Sequence, residues 1–281
     1  MSDTQQKTWF ITGAARGLGQ QIANAALAAG DNVVVTGRNL SKLQTAYPQY
    51  QRLLVLQLDV CNTQQAEQSV KTAFEHFGSL DVLVNNAGYG QLGLFEEIAA
   101  HHIPQQFDTN LFGLMAVTRA ALPYMRQQRS GQIYNISSIG GALGFEAASV
   151  YCATKFAVEG FSESLAPEVK QFGISVTIVQ PGFFRTDFLD DSSVRYGDLQ
   201  LADYQAYSEQ VNGFYKQHNH QQAGDPAKLG LALVQLSRAD NRPQRFAAGS
   251  DALQYLGNAY QARLQELQQW AELSASTDIS S

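Results

Sequence analysis

Tyr151 and Lys155 stand four residues apart in the stretch Tyr151-Cys152-Ala153-Thr154-Lys155. On a helix that spacing puts both side chains on one face, one turn apart. A free phenol has a pKa of about 10, too high for efficient proton exchange at neutral pH. A neighbouring ammonium favours the phenolate and lowers that pKa. The pair is therefore expected to act as one acid/base unit. The same residues also suit an ordinary helix with one buried aromatic and one snorkelling lysine, so the rest of the chain must decide.

A second chemical stretch is Thr12-Gly13-Ala14-Ala15-Arg16-Gly17-Leu18-Gly19. It follows the apolar run Thr8 to Ile11, a buried strand, and precedes a helix with apolar positions at Ile22, Ala25, Ala26 and Ala29, closed by Gly30. Strand, glycine turn and helix form the context a phosphate-binding turn requires. Glycine lets a ligand touch the main chain, and the helix start offers N–H groups to a pyrophosphate. The spacing is Gly-x-x-x-Gly-x-Gly rather than GxGxxG. A glycine-rich turn without a ligand is the bland alternative.

The next strand, Asn32 to Thr36, ends in Gly37-Arg38. An enzyme that prefers NAD usually carries an acid here for the ribose 2′-hydroxyl. This chain has Arg38 instead, with Arg16 in the glycine turn. Two guanidiniums suit a 2′-phosphate, so NADP is expected in preference to NAD. Leu53 to Leu58 is a third strand, ending in Asp59-Val60. The Asp59 carboxylate suits either an adenine amino group or a helix cap. Leu80 to Val84 is a fourth strand, followed by Asn85-Asn86-Ala87-Gly88, which fits backbone bracing beside a ligand or a plain turn.

The remaining elements follow in alternation. A helix is expected from about 104 to 129 with Asn110 in its middle, although asparagine is a poor helix former. Gly131 to Ile136 reads as a strand before Ser137-Ser138, and Val150 to Phe172 as the helix of Tyr151 and Lys155. Ile174 to Val179 is a strand leading to Gln180-Pro181-Gly182 and Phe183-Phe184-Arg185-Thr186. The aromatic-rich segment 187–223 reads as one or two helices forming a lid over a mostly apolar substrate. Its His218 and His220 fit no full set of metal ligands, and no metal is expected. Asp225-Pro226 starts a helix that ends near Arg238; Arg245 to Ala248 is a last strand. A C-terminal helix over about 252–273 carries Tyr260, Leu264, Leu267 and Trp270, and the final residues should fray.

The alternation implies an α/β, Rossmann-like, doubly wound single domain over 1–281, with a parallel sheet and helices on both faces. A hydrophobic content of 44% against 16% charged residues excludes disorder. The net charge of −6 with no basic block argues against nucleic acid. No apolar run reaches membrane-spanning length, and no signal peptide is evident before the first strand. Two cysteines, in no metal-binding spacing, suit a reducing compartment. A cytoplasmic location is expected.

Taken in order, these stretches resemble the short-chain dehydrogenase/reductase family, short-core subgroup. The resemblance rests on Thr12 to Gly19, Asp59, Asn85 to Gly88, Asn110, Ser138, Tyr151, Lys155 and Pro181-Gly182 to Thr186, across about 7–186. The lid and long C-terminal helix are similar to those of hydroxysteroid-dehydrogenase-like members. The resemblance implies a seven-stranded sheet and an NADP-dependent oxidoreductase acting on a small to medium, fairly apolar carbonyl or alcohol. Tyr151 would be the acid/base and Ser138 would hold the substrate oxygen. Lys155 would tune Tyr151 and bind the nicotinamide ribose, and Asn110 would hold a relay water. Thr12, Gly13, Arg16, Gly17, Leu18, Gly19, Arg38, Asp59, Val60, Asn86, Ala87 and Gly88 would hold the rest of the cofactor. Pro181, Gly182, Phe184 and Thr186 would seat the carboxamide. A homodimer or homotetramer is implied, paired through the two helices carrying Asn110 and Tyr151. A catalytically silent NADP-binding sensor or scaffold is the competing function, and a member that has lost chemistry should lack Ser138, Tyr151 or Lys155.

Overall fold

The computed structural model describes residues 6–47, 51–190 and 193–279. Strand β1 (Thr8–Ile11) leads into α1 (Gly17–Ala28), then β2 (Asn32–Gly37), α2 (Leu40–Ala46), β3 (Leu53–Gln57) and α3 (Thr63–Phe77). The chain continues through β4 (Val82–Asn85), β5 (Gly90–Gln91), α4 (His102–Phe107), α5 (Gly113–Gln128), β6 (Gly131–Ile136), α6 (Ser149–Lys170) and β7 (Ile174–Pro181). It ends with β8 (Val194–Arg195), α7 (Gln205–Gln217), α8 (Pro226–Ser237), β9 (Arg245–Ala248), α9 (Ser250–Gln269) and α10 (Ala271–Ala275).

Seven strands form one parallel sheet in the order β3-β2-β1-β4-β6-β7-β9. Central strands β1, β4 and β6 are buried along their whole length; their polar side chains, Gln132, Asn135 and Asn85 among them, are paired by hydrogen bonds. One core layer joins β-sheet residues such as Ile11, Val35 and Val84 to Ile22 and Ala26 of α1 and Leu229 and Leu233 of α8. The other joins Phe10, Leu83 and Ile133 to Val70 of α3, Val117 of α5 and Leu165 of α6. Helices therefore cover both faces. The strand order reverses between β1 and β4, whose register pairs Ile11 with Val84. The crevice beyond their carboxyl ends is where this fold takes ligands.

Three departures from the expected elements bear on the site. The helix expected over 104–129 is α4 and α5 joined by a π-turn, Asp108–Phe112, where the Gly113 N–H bonds back to the Asp108 carbonyl. Strands β5 and β8 pair in a separate two-stranded sheet, too short to leave a pattern in sequence. The C-terminal helix breaks at Trp270 into α9 and α10, and its only buried residues, Ala252 and Leu256, lie in its first two turns. Its periodic Tyr260, Leu264, Leu267 and Trp270 are 44–67% exposed rather than packed on the body. Among the described residues no helix is long and apolar enough to cross a membrane.

Candidate active site

The glycine turn is held from below by its neighbours. Thr12 Oγ1 accepts hydrogen bonds from the Asn86 and Ala87 N–H groups, both at 3.0 Å. Asn86 Nδ2 returns two bonds at 3.0 Å, to the carbonyls of Thr12 and Gly13. The tetrapeptide after β4 is thus a brace and not a plain turn. Gly13 and Gly17 adopt left-handed backbone, with φ of 64° and 59°. A Cβ on Gly13 would fall 2.8 Å from the Ala87 Cα, so only glycine fits. Helix α1 starts without a side-chain cap and without an acid in its first turn. Its first N–H groups are left for an anion, beside a cavity that Gly13, Arg16, Gly17 and Leu18 line. The turn fits a dinucleotide pyrophosphate.

That cavity has a volume of about 690 Å³. At one end it is lined by Arg38, Asn39, Lys42, Asp59 and Val60. Lys42 escaped the sequence reading because it sits a turn into α2, away from any motif. The two readings of Asp59 separate here: Asn62 caps α3 by accepting from the Gln65 N–H at 3.0 Å. Asp59 instead closes a short turn, accepting from the Cys61 N–H at 3.1 Å, and borders the cavity.

Ser138, Tyr151 and Lys155 converge on the middle of the same cavity. Ser138 leaves the end of β6, and its hydroxyl accepts from the Gly140 N–H at 3.0 Å, beside the Tyr151 ring. Lys155 Nζ lies 5.8 Å from the Tyr151 ring centroid and donates to the Ile136 carbonyl at 2.8 Å. Burial pushes the Lys155 ammonium down to about 8, partly offset by the Glu159 carboxylate one turn on. Burial also pushes the Tyr151 phenol up, and the Ser138 hydroxyl only partly opposes it. The expected lowering by Lys155 is therefore not what the protein alone provides. The ammonium is bound to a carbonyl, and its own charge is disfavoured by the same burial.

Asn110, on the π-turn, takes a different place from the one expected. Its Oδ1 accepts from the Tyr89 N–H at 3.1 Å; its Nδ2 donates to the Tyr89 carbonyl at 3.0 Å and to Thr154 Oγ1 at 3.2 Å. The amide clamps the segment after Gly88 to α6 and does not line the cavity. Thr12 and Gly19 likewise stand behind the wall; a Cβ on Gly19 would meet Asn86 Nδ2 at 2.4 Å. The other expected residues, Asn86, Ala87, Gly88, Pro181, Gly182, Phe184 and Thr186 among them, do line it.

The facing wall comes from the segment 187–223, of which 191 and 192 lie outside the described residues. Phe188 packs tilted against the Tyr151 ring at 5.6 Å between centroids, and Leu189, Val194 and Tyr215 join it. Leu92, Phe145, Ala148 and Phe183 complete an apolar pocket beside Tyr151. Phe214 and Tyr207, by contrast, are exposed. The segment is pinned to the body by pairing of β8 with β5 and by the buried Glu97 carboxylate, which accepts from the Leu201 N–H and the Ser208 hydroxyl. His220 meets Asp190 at 2.9 Å, with Asp187 nearby, a grouping hidden in sequence because the acids lie about thirty residues away. Asn219 Nδ2 also bonds Asp190 at 2.6 Å, so the cluster is satisfied as a hydrogen-bonded clasp.

A family model described as short chain dehydrogenase matches residues 7–196. The chain is 37% identical over 273 residues to "Oxidoreductase BOA17" of Botryotinia fuckeliana, covering 95% of this chain and 98% of that protein. It is 37% identical over 246 residues to a 3-ketodihydrosphingosine reductase of Bacteroides thetaiotaomicron, covering 87% and 88%. Among solved structures, a short-chain dehydrogenase from Streptomyces avermitilis superposes with a TM-score of 0.88 at 38% identity, over 98% of this chain and 100% of that one. ElxO with NADP bound gives a TM-score of 0.71 at 29% identity, over 86% and 96%.

Proposed function

Because the chain belongs to the short-chain dehydrogenase/reductase family, we propose that it is an NADP(H)-dependent oxidoreductase interconverting a carbonyl and an alcohol on a small to medium, apolar substrate. The observation that carries this reading is the convergence of Ser138, Tyr151 and Lys155, with Lys155 Nζ 5.8 Å from the Tyr151 ring, on the cavity that the glycine turn opens. NADPH supplies the hydride when bound. Arg16, Arg38 and Lys42 are the cations for its 2′-phosphate, and the absence of an acid after β2 supports NADP over NAD. Neighbours solved with NADP agree with that preference.

Ser138 holds the substrate oxygen within reach of the Tyr151 hydroxyl. As negative charge grows on that oxygen, Tyr151 donates its proton and the alcohol forms. A phenol pushed up by burial stays protonated through neutral pH, which suits the reductive direction. Phe188, packed against Tyr151, shields the transfer from water. The apolar pocket beside Tyr151 and the 3-keto reductase among the relatives favour a ketone on an apolar body.

Exposed Phe112 and Phe156, at 54% and 41%, stand on the π-turn and on α6 and support pairing of copies through those helices. Free Cys61 and Cys152 suit a reducing, cytoplasmic compartment. The test is purified protein with NADPH or NADH against aldehydes, ketones, quinones and steroids, followed by loss of the reduced cofactor. NADPH-linked reduction of an apolar carbonyl is expected. Binding of NADPH without turnover of any such substrate would favour the silent sensor instead.

A further inference from the structure

Asp251 lies in the first turn of α9, outside every stretch that carried the sequence reading. Its carboxylate reaches across the fold. One oxygen, Oδ2, accepts from the Phe183 N–H at 2.7 Å, and Oδ1 accepts from the Ala252 N–H at 2.9 Å. Two glycines make room for it. A Cβ on Gly182 would fall 2.4 Å from both carboxylate oxygens. A Cβ on Gly249 would fall 2.4 Å from Oδ1, and Gly249 has φ 104°. An acid in a first helical turn complements the helix dipole, but that role needs neither glycine nor a bond to a residue 68 positions away.

The loop so held, Pro181-Gly182-Phe183, lines the cavity, and the Gly182 N–H is fixed to the Ala248 carbonyl at 3.0 Å. Among the described residues no Lys, Arg or His forms an ion pair with Asp251. A brace alone needs only an acceptor; a carboxylate also places a full negative charge behind this loop. That charge has a natural partner. The nicotinamide ring assigned to this loop is neutral when reduced and positive when oxidised.

We propose that Asp251 is a positioning residue that sets the 181–183 loop and, through its charge, favours oxidised over reduced cofactor at this site. The inference rests on the NADP(H) reading above. It ties the C-terminal helix to the redox state of the bound cofactor.

The test uses the full chain and the dissociation constants of NADP+ and NADPH, measured by calorimetry and by NADPH fluorescence. Asp251→Asn keeps an acceptor of the same shape and removes the charge. It should weaken NADP+ about threefold to tenfold relative to NADPH, as expected for one partly screened charge. Asp251→Ala removes the acceptor as well and should weaken both cofactors. Asp251→Ser, charge-free with a hydroxyl acceptor, repeats the test if the Asn change disturbs folding. An unchanged NADP+ to NADPH ratio in both charge-free acceptor variants would overturn the charge role. Wild-type affinity for both cofactors in Asp251→Ala would overturn the positioning role. Wild-type protein that binds neither cofactor would instead defeat the NADP(H) reading itself.

Discussion

Lys155 should be a residue the enzyme keeps at the expense of its own stability. Its side chain is buried, and its ammonium bonds the Ile136 carbonyl at 2.8 Å. Burial lowers it from 10.5 to about 8, with Glu159 pulling the other way. That drop corresponds to about 3 kcal/mol by which the charged form weakens the fold at neutral pH. Lys155→Met keeps the length of the stem and removes the charge. Leaving the Ile136 carbonyl without its ammonium partner costs about 1 kcal/mol. The net expectation is a gain of about 2 kcal/mol at pH 7, or about 4–8 °C in melting temperature for a chain of this size. The sign fixes the pH dependence. A lysine whose folded value is depressed penalises the native state in full below about pH 8. The penalty fades as pH rises from about 8 to 10.5 and vanishes above. Thermal unfolding of wild type and variant, followed by circular dichroism from pH 6 to 11 (about the range spanning both values), measures the gap. The variant should melt higher at neutral pH, drop about 1 kcal/mol below wild type in alkali, where only the lost Ile136 bond remains, and lose turnover and cofactor affinity. A variant that melts lower at pH 7, or a gap that ignores pH, would refute the reasoning.

Other outcomes test the remaining assignments. Tyr151→Phe should lower turnover by roughly two orders of magnitude or more while NADPH affinity, measured by fluorescence, stays near wild type; normal turnover would remove Tyr151 from the chemistry. Arg38→Asp should weaken NADPH at least roughly tenfold, from the loss of a charge-assisted bond, and NADH far less; equal losses would end the 2′-phosphate assignment. Limited proteolysis within 187–223 should slow when cofactor and a carbonyl substrate are both present, and unchanged cutting would make the segment mere packing. Phe156→Glu should shift the mass measured by light scattering towards a monomer, whereas an unaltered oligomer would place the contact elsewhere.

The local grammar of the chain was legible in its residues. Apolar runs, glycine turns and caps such as Asp225 gave the seven strands of the main sheet and most helices, because these depend on neighbours within a few positions. The spacing of Tyr151 and Lys155 likewise placed both on one helical face. What the spacing did not contain was the environment. Whether Tyr151 is raised or lowered depends on burial by Phe188 and on the direction in which Lys155 points, and both are settled by elements far away in sequence. The π-turn that turns the Asn110 amide towards Tyr89 and Thr154 and the two-residue strands that anchor the lid are too small to leave a periodic trace. Asp251 was invisible for the same reason: an acid in a first helical turn looks ordinary until the fold brings it against Phe183. Sequence by itself determined which elements form and which chemical groups the chain owns. Only tertiary structure decided which of those groups meet, and how far burial bends their charges, because contacts across the sheet and desolvation are properties of the assembled chain.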